Sequence, residues 1–340
     1  MRRAFRAQWA PLFVTIALAG IVLSVTINSF GSSYNIFVIL QAAGVDAIIG
    51  LAQMVVLAAG DMSLAVGGIG GLVTVTVGNL FAVQHWPSGL VILAGLAVGA
   101  LSGLVNGIII TKSGVSAFII TLATGTVFTG IGYGVTKSYP YSDVPSNLVQ
   151  LGQGRVGFFP YLLVVTLVTC AVVGGALRWL PSGRALLAVG GNKDAAMLSG
   201  LSRPRAVLAV HLASGFLAAL AAVTFVGVLR SATPDTGDDW LIISFAVPII
   251  GGTALMGGEG SAFGCLVAAV LLATIDDALI VLNISTYAIE MAEGLLIFGA
   301  VAAGRIGQRA ARSTGPPAAI ARGAQRPAQA PSARAPAADR

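Results

Sequence analysis

Long apolar segments separated by short polar breaks make up most of this chain. The hydrocarbon core of a bilayer is about 30 Å thick, so a helix that rises about 1.5 Å per residue needs about 20 apolar residues to cross it. Ten segments meet this requirement, near residues 11–28, 36–58, 64–83, 89–110, 115–136, 160–179, 206–229, 240–257, 262–282 and 285–303. The pattern therefore predicts an all-α membrane protein, a polytopic bundle of about ten transmembrane helices.

The longest charged interruption is the segment 181–205, PSGRALLAVGGNKDAAMLSGLSRPR. The Asp-Ala-Ala run at 194–196, followed by Gly200, indicates a short amphipathic helix with small residues on one side. Gly200 is a typical helix stop, and Pro204 lies just beyond it. An exposed loop of this kind between membrane helices is suited to docking in a groove on another protein.

Lysine and arginine residues fall almost entirely on one side of this ten-segment arrangement. If the N-terminus is cytoplasmic, 16 of the 19 basic residues lie in cytoplasmic segments, and only Lys137, Arg155 and Arg230 lie outside. Cytoplasmic loops carry the excess of Lys and Arg in membrane proteins. The distribution therefore predicts that both termini and the segment 181–205 lie in the cytoplasm.

The same topology places two longer connections on the outer side, at residues 137–159 and 230–239. Both are rich in Pro, Ser, Gly, Tyr and Asp, which is typical of loops. Trp240 follows the second connection and is expected at the depth of the membrane interface, where tryptophan is enriched.

The composition agrees with a membrane protein and excludes other classes. The chain is 56% hydrophobic and 9% charged, with a mean hydropathy of +0.90, whereas about a quarter of residues are charged in soluble domains. The net charge of +6 comes from residues spread over loops and termini, so no nucleic-acid partner is expected. Cys170 and Cys265 lie inside apolar runs and indicate no disulfide framework.

The chain lacks the motifs of an enzyme. No Gly-x-x-x-x-Gly-Lys-[Ser/Thr] phosphate-binding loop occurs, and His85 and His211 stand alone without a second ligand at metal-binding spacing. No nucleophile elbow or catalytic triad is recognisable. We therefore predict no catalytic residue, no metal site and no cofactor bound by this chain. The energy for any transport must then come from a partner.

Four sequence blocks resemble those of one transporter family. Residues 60–67, GDMSLAVG, resemble its Gly-Ile-Asp-Leu-Ser-Val-Gly signature, and residues 104–107 with 117–122 resemble its Asn-Gly and Pro-Phe-Ile-Val-Thr-Leu block. Residues 251–261 resemble its glycine-rich turn, and AVGGNKDAAMLSGL resembles its cytoplasmic coupling loop. Over most of residues 36–303 the chain is similar to the ribose-type (monosaccharide) permeases of bacterial ABC importers, a family shared with branched-chain amino acid permeases.

This resemblance implies a multi-pass protein of the lipid bilayer of the bacterial inner membrane, working by alternating access. It also implies a second permease chain, identical or different, ATP-binding subunits on the cytoplasmic side and an extracytoplasmic solute-binding protein. ATP would be used by those partner subunits. Lys193 or Asp194 would pair with the ATPase surface. The residues implied in ATPase coupling are Asn192, Lys193, Asp194, Ala195, Ala196 and Gly200.

Polar residues inside the apolar segments are candidates for the solute pathway, because such residues face a bundle interior or a water-filled cavity. The candidate set is Gln53, Asp61, Asn106, Thr121 and Glu290. For Asp61 the alternative is a helix cap formed with the amides of residues 63 and 64. For Asn106 the alternative is a hydrogen bond between helices.

Four carboxylates in the predicted apolar segments leave the identity of the solute undecided. Asp276 and Asp277 stand in the middle of a predicted segment where the family more often has amides, and Glu290 and Glu293 stand where it has Gln and Lys. They fit a polyol, a cationic solute or a role in assembly equally well. A monosaccharide is the favoured solute, with branched-chain amino acids or nucleosides as alternatives. An ion-coupled secondary transporter using Asp276, Asp277 and Glu290 is the alternative from another class.

The chain is thus divided into three parts. Residues 1–10 are a cytoplasmic N-terminus, and residues 11–303 are the transmembrane domain, which contains the coupling loop 181–205. Residues 304–340 are rich in Ala, Pro and Arg and lack apolar periodicity, so they are predicted to be a disordered cytoplasmic tail.

Overall fold

The computed structural model describes residues 2–26 and 30–285, and within 286–299 it describes all but residues 286, 290, 293, 296 and 297. The chain divides into a first unit, Met1–Phe298, and a second unit, Gly299–Arg340. The predicted tail and part of the last predicted segment lie outside the described residues.

Residues 2–285, apart from 27–29, contain twelve helices and two short strands. Their bounds are α1 (Arg2–Thr26), α2 (Ser33–Ala58), α3 (Val66–Ala82), α4 (Ser88–Ser113), α5 (Ala117–Thr136), α6 (Ser146–Gln153), β1 (Arg155–Val156), β2 (Phe159–Pro160), α7 (Tyr161–Trp179), α8 (Pro181–Gly191), α9 (Lys193–Leu198), α10 (Arg203–Leu229), α11 (Trp240–Ile250) and α12 (Ala262–Val281). The strands are antiparallel, with Arg155 opposite Pro160 and Val156 opposite Phe159.

Nine of the ten predicted apolar segments coincide with helices. Within the described residues, α2, α4, α5, α7, α10 and α12 are long and apolar enough to cross a membrane. The apolar parts of the other three are shorter, at Leu12–Val25, Val66–Ala82 and Trp240–Ile250. The prediction of a helical membrane protein is confirmed, and the number of about ten spans stays a prediction.

Helix α2 lies at the centre of the bundle, in contact with α7, α10, α11 and α12. Its sequence explains this position, because it is apolar on all sides rather than along one stripe. In its last four turns nearly every side chain is buried. Gly44 and Gly50 let Leu162 of α7 and Val247 of α11 pack directly against the α2 backbone.

Helices α4 and α10 form the most extensive helix pair. Gly99 and Gly103 of α4 lie at this contact, and a side chain at either position would overlap atoms of α10. Gly215 of α10 meets the α4 backbone in the same way. Small residues at matching positions allow two helix backbones to approach closely in lipid. The four-residue spacing of Gly95, Gly99 and Gly103 predicts this packing role, and the structure confirms it for Gly99 and Gly103.

The predicted connection 137–159 is more regular than its sequence indicates, because it contains α6 and most of the strand pair. Gln153 at the end of α6 donates a hydrogen bond to the Val228 carbonyl at 2.7 Å. Gln41 of α2 donates to the Gly152 carbonyl at 2.7 Å. These two bonds fasten α6 to α10 and α2, so tertiary contacts give this polar segment its structure.

The second predicted connection, 230–239, runs back along α3 into the bundle. Ala232 packs where Gly78 leaves room, and the backbone of Gly237 reaches Gly67 at the start of α3. Non-helical backbone at membrane depth is tolerated only where protein covers it or where it lines a cavity. The glycines of α3 provide that cover, and α11 therefore begins inside the bundle with only 11 residues.

Trp240 opens this short helix. Its side chain is 4% exposed, lies over Gly70 and makes an edge-on contact with Phe225, with ring centroids 6.0 Å apart. The expectation of an interfacial tryptophan is therefore wrong. The reason is the inward course of the preceding segment, which carries Trp240 away from the end of the bundle.

Asp277 lies in the last turns of α12 and not in the middle of a span, which corrects the expectation for this residue. Its Oδ2 accepts a hydrogen bond from Nδ2 of Asn35 at 2.6 Å, and the same amide donates to the Phe30 carbonyl at 3.2 Å. This contact ties α12 to the start of α2. It favours a role of Asp277 in assembly.

The segments predicted to be cytoplasmic meet at one end of the bundle. The loop between α11 and α12 contacts the end of α2 there, with the Gly258 N–H donating to the Ala58 carbonyl at 2.9 Å. At the start of the apolar part of α1, Leu12–Val25, Phe13 meets Phe263 at the start of α12, with ring centroids 6.1 Å apart. We call this the coupling end, because α8 and α9 also lie there.

Candidate coupling segment and solute pathway

The predicted coupling loop folds as two helices, α8 and α9, between α7 and α10. Asn192 separates them and caps α9, because its side-chain Oδ1 accepts a hydrogen bond from the Ala195 N–H at 3.0 Å. Asparagine is among the best N-cap residues, and Asp194 adds a favourable negative charge in the first turn. The short helix expected from the sequence is therefore present.

Helix α9 ends in a Schellman motif around Gly200. Gly200 has a φ angle of +79°, and its N–H donates to the Met197 carbonyl at 3.0 Å. The Leu201 N–H donates to the Ala196 carbonyl, also at 3.0 Å. A glycine adopts this left-handed conformation without the strain that a side chain would add. The predicted stop at Gly200 is confirmed.

The exposed surface of α9 is apolar apart from Asp194 in its first turn. Leu198 is 91% exposed, Met197 is 53% exposed, and Ala195 is exposed beside them. Ala196 is instead buried against the bundle, and Lys193 is half-buried. Exposed large apolar residues on a polar loop add nothing to the stability of the single chain, so this surface is suited to contact with a partner.

Behind α9, three chain segments touch through their backbones. Gly190 at the end of α8 lies against the Ala58 carbonyl and against Gly258, and a side chain at Gly190 would overlap both. Gly60, just after α2, lies against the Gly190 carbonyl in turn. Close-packed contacts of this kind transmit displacement. These backbone contacts are the route by which a displacement of α8 would reach the end of α2.

The break between α2 and α3 carries Asp61, whose side chain is 8% exposed. Its Oδ1 lies 3.6 Å from Nη2 of Arg203, the first residue of α10. Both residues, together with Lys193, line a cavity of about 670 Å³. Asp61 thus lies at the coupling end of the bundle, next to the segment that precedes α10.

Thr121 of α5 holds the same break in place. Its Oγ1 accepts a hydrogen bond from the Leu64 N–H at 2.9 Å and donates to the Ala117 carbonyl at 2.7 Å. The Leu64 amide is one of the two expected to bind Asp61 in a helix cap, and it binds Thr121 instead. The hydroxyl of Thr121 is therefore engaged within the bundle, which favours a structural role.

We expect Thr121→Val to loosen this break. Valine has nearly the same shape but cannot accept the Leu64 N–H, so the free energy of unfolding should fall by about 1–2 kcal/mol. Thr126→Val is the matched control on α5, because that hydroxyl bonds to the Leu122 carbonyl of its own helix, and its effect should stay within about 0.5 kcal/mol. The thermal unfolding midpoints of both variants are measured in detergent. Equal midpoints would contradict a stabilising hydrogen bond between Leu64 and Thr121.

Gln53 of α2 and Asn106 of α4 are fully buried. Among the described residues, none bonds to their side-chain amide atoms, so the interhelical bond considered for Asn106 is not formed there. A buried amide without a partner costs about 1–3 kcal/mol, so such groups point to a bound water or ligand. Glu290, the fifth candidate, lies outside the described residues.

Comparison with known protein families identifies the family of this chain. The family described as branched-chain amino acid transport system / permease component matches residues 28–301. The chain belongs to this family. A permease component fits the apolar helices described above.

The chain is also similar to curated permeases along nearly their whole length. It is 33% identical to the ribose import permease protein of Haemophilus influenzae, covering 86% of this chain and 91% of the relative. It is 30% identical to the ribose import permease protein of Bacillus subtilis, covering 85% and 90%. For the D-allose transport system permease protein of Escherichia coli the identity is 28%, covering 89% and 93%. No solved structure matches the chain at a significant level.

Two contacts of this permease were not expected from its sequence. Arg203 pairs with Asp61, although its charge was used only as a topology signal. The hydroxyl of Tyr133 on α5 donates to Oδ2 of Asp238 at 3.0 Å, on the segment that runs into the bundle. Both contacts join residues far apart in the chain, so no local sequence pattern predicts them. The only available signal was the presence of charged residues beside apolar helices.

Proposed function

We propose that this chain is the membrane-spanning subunit of a bacterial ABC importer and that its solute is a monosaccharide. Membership of a permease family supports transport, and the similar ribose and D-allose permeases support a sugar. The observation that carries the coupling role is α9, a short helix fixed at both ends that turns Met197 and Leu198 outward.

The partners follow from this proposal. ATP-binding subunits dock on α9 at the coupling end, which faces the cytoplasm together with both termini. A solute-binding protein delivers the sugar at the opposite end, where α6 and the strand pair lie. A second permease chain completes the pathway. Of the six long spans described, α5 has the smallest buried share, 17%, and offers a surface for that chain.

Transport by this assembly is alternating access with the energy supplied by the partners. Closure of the ATPase subunits displaces α9, and the contact of Gly190 with Ala58 and Gly258 passes the displacement to α2. Helix α2 carries Gln53, whose unpaired buried amide, like that of Asn106, is placed to bind water or solute as the bundle reopens. The chain performs no chemical step itself.

An amino-acid permease is the second candidate. The description of the family names branched-chain amino acids, and this observation alone favours it. The two candidates differ in the ligand of the cognate binding protein. Titration of that protein with ribose, allose, leucine and valine separates them, because binding sites built to hydrogen-bond hydroxyls reject ligands that lack them.

Transport in proteoliposomes tests the proposed function. The permease is reconstituted with its ATP-binding subunits inside, and the binding protein is added outside with a radiolabelled monosaccharide. We expect uptake that requires ATP and both partners and that persists after an ionophore collapses the proton gradient. Gradient-driven uptake by the purified chain alone would overturn the proposal in favour of an ion-coupled carrier.

A further inference from the structure

Asp61 is a buried carboxylate whose bonding is incomplete. Its side chain is 8% exposed, and within the described part of the chain Oδ1 has one ion-pair partner, Arg203 at 3.6 Å. The second oxygen, Oδ2, has no hydrogen-bond partner among the described residues. A buried carboxylate normally accepts several hydrogen bonds or pairs closely with a cation. This one is held loosely and lines a cavity with room for another donor.

Two cations that line this cavity lie at the start of α9 and just after its end. Lys193 is the first residue of α9, and Arg203 is the first residue of α10, a few residues beyond the end of α9. Both line the cavity together with Asp61. His211, farther along α10, is also within electrostatic range of Asp61. Of these two cations only Lys193 is on α9, so a displacement of α9 changes the distance between Lys193 and Asp61.

The carboxylate itself is fixed to the membrane bundle. Asp61 is the third residue after α2 and precedes the Leu64 amide, which donates a hydrogen bond to Thr121 of α5 at 2.9 Å. Gly60 beside it lies against the Gly190 carbonyl of α8. The break is thus tied to α5 on one side and touches the coupling segment on the other.

We propose that Asp61 is a positioning residue for coupling, which links α9 to the membrane bundle through charge. Arg203 holds Oδ1 in the present arrangement, and Lys193 reaches Oδ2 when a partner presses α9 toward the cavity. This inference rests on the proposed function and takes Asp61 out of the solute pathway. The inference concerns an ion pair and not a contact with the solute, so coupling and solute binding can be measured separately.

A charge-exchange experiment tests this proposal on the full assembly in proteoliposomes. The measured quantity is the number of sugar molecules imported per ATP hydrolysed. Asp61→Asn and Arg203→Asp should each lower this ratio about tenfold, within the usual range of coupling between two sites. The exchanged pair Asp61→Arg with Arg203→Asp should recover at least about a third of the wild-type ratio, because opposite charges face each other again. Lys193→Gln should lower the ratio about threefold.

The contradicting outcomes are distinct from failure of the proposed function. If the wild-type protein imports nothing with ATP, the importer proposal fails and Asp61 is not at issue. If import is ATP-driven, a raised KM for sugar in Asp61→Asn with an unchanged ratio overturns the coupling role. An exchanged pair no better than its single variants also overturns it. Should that pair not fold, the doubly neutral variant Asp61→Asn with Arg203→Gln replaces it. It should be no worse than Asp61→Asn, and additive losses would contradict the pair.

Discussion

Leu198→Asp should reduce ATP-driven uptake at least tenfold while leaving the amount of folded protein unchanged. Leu198 is 91% exposed on α9, so its side chain stabilises nothing within the chain. Burying a leucine in a partner's groove contributes about 1.5–3 kcal/mol, and about 1.4 kcal/mol corresponds to a tenfold change in affinity. A carboxylate adds the cost of desolvating a charge in that groove. Uptake in proteoliposomes and co-purification of the ATPase subunits measure the effect.

Leu198→Met is the matched control, because it preserves an apolar side chain of similar volume at the same position. Its uptake should stay within about twofold of the wild-type protein. Normal uptake by Leu198→Asp, with the ATPase still bound, would show that α9 is not the docking surface. A loss of folded protein in Leu198→Asp would show that the leucine has a structural partner.

Gly103→Val should destabilise the bundle severely. A side chain at Gly103 would overlap the His211 carbonyl of α10 and approach Gly215, at the most extensive helix contact of the structure. Overpacking of a close-packed contact costs about 1–3 kcal/mol, and more where backbone and not a side chain must move. We expect the loss of most detergent-stable protein, measured by size-exclusion chromatography and by the thermal unfolding midpoint.

Gly20→Val on α1 is the control for this change. A side chain built at Gly20 would meet no neighbouring atom, so the same substitution in another membrane helix should shift stability by no more than about 0.5 kcal/mol. Equal stability of the two variants would show that the backbones of α4 and α10 do not approach closely at Gly103.

Local patterns predicted the elements of this structure well. The lengths of the apolar segments located nine helices, because a membrane helix needs an uninterrupted run of apolar residues. Helix α9 was predicted from residues within one short segment, the Asp-Ala-Ala run at 194–196 and Gly200, since such residues act on the backbone a few positions away. The cap by Asn192 was not predicted. The family blocks pointed to the permease function for the same reason, because each is contiguous.

Contacts between distant segments were not predictable in this way. The segment 230–239 enters the bundle because α3 presents glycines to it, and neither sequence alone shows that they meet. Trp240 was therefore placed at the wrong depth. Asp61 and Arg203 are 142 positions apart in the chain, and the partner of the Leu64 amide proved to be Thr121. Side-chain partners of this kind depend on packing, which a single sequence does not reveal.

Crosslinking from α9 tests the central claim most directly. Cys170 and Cys265 are both buried, so a thiol introduced by Leu198→Cys is the accessible one among the described residues, and Val156→Cys on the strand pair serves as the control at the opposite end. We predict that the Leu198→Cys variant crosslinks to the ATPase subunit in inside-out vesicles, with a yield that changes on ATP addition, and that the Val156→Cys variant does not. Labelling of position 198 by a membrane-impermeant maleimide from outside intact cells, or turnover without any crosslink to an ATPase, would contradict the account.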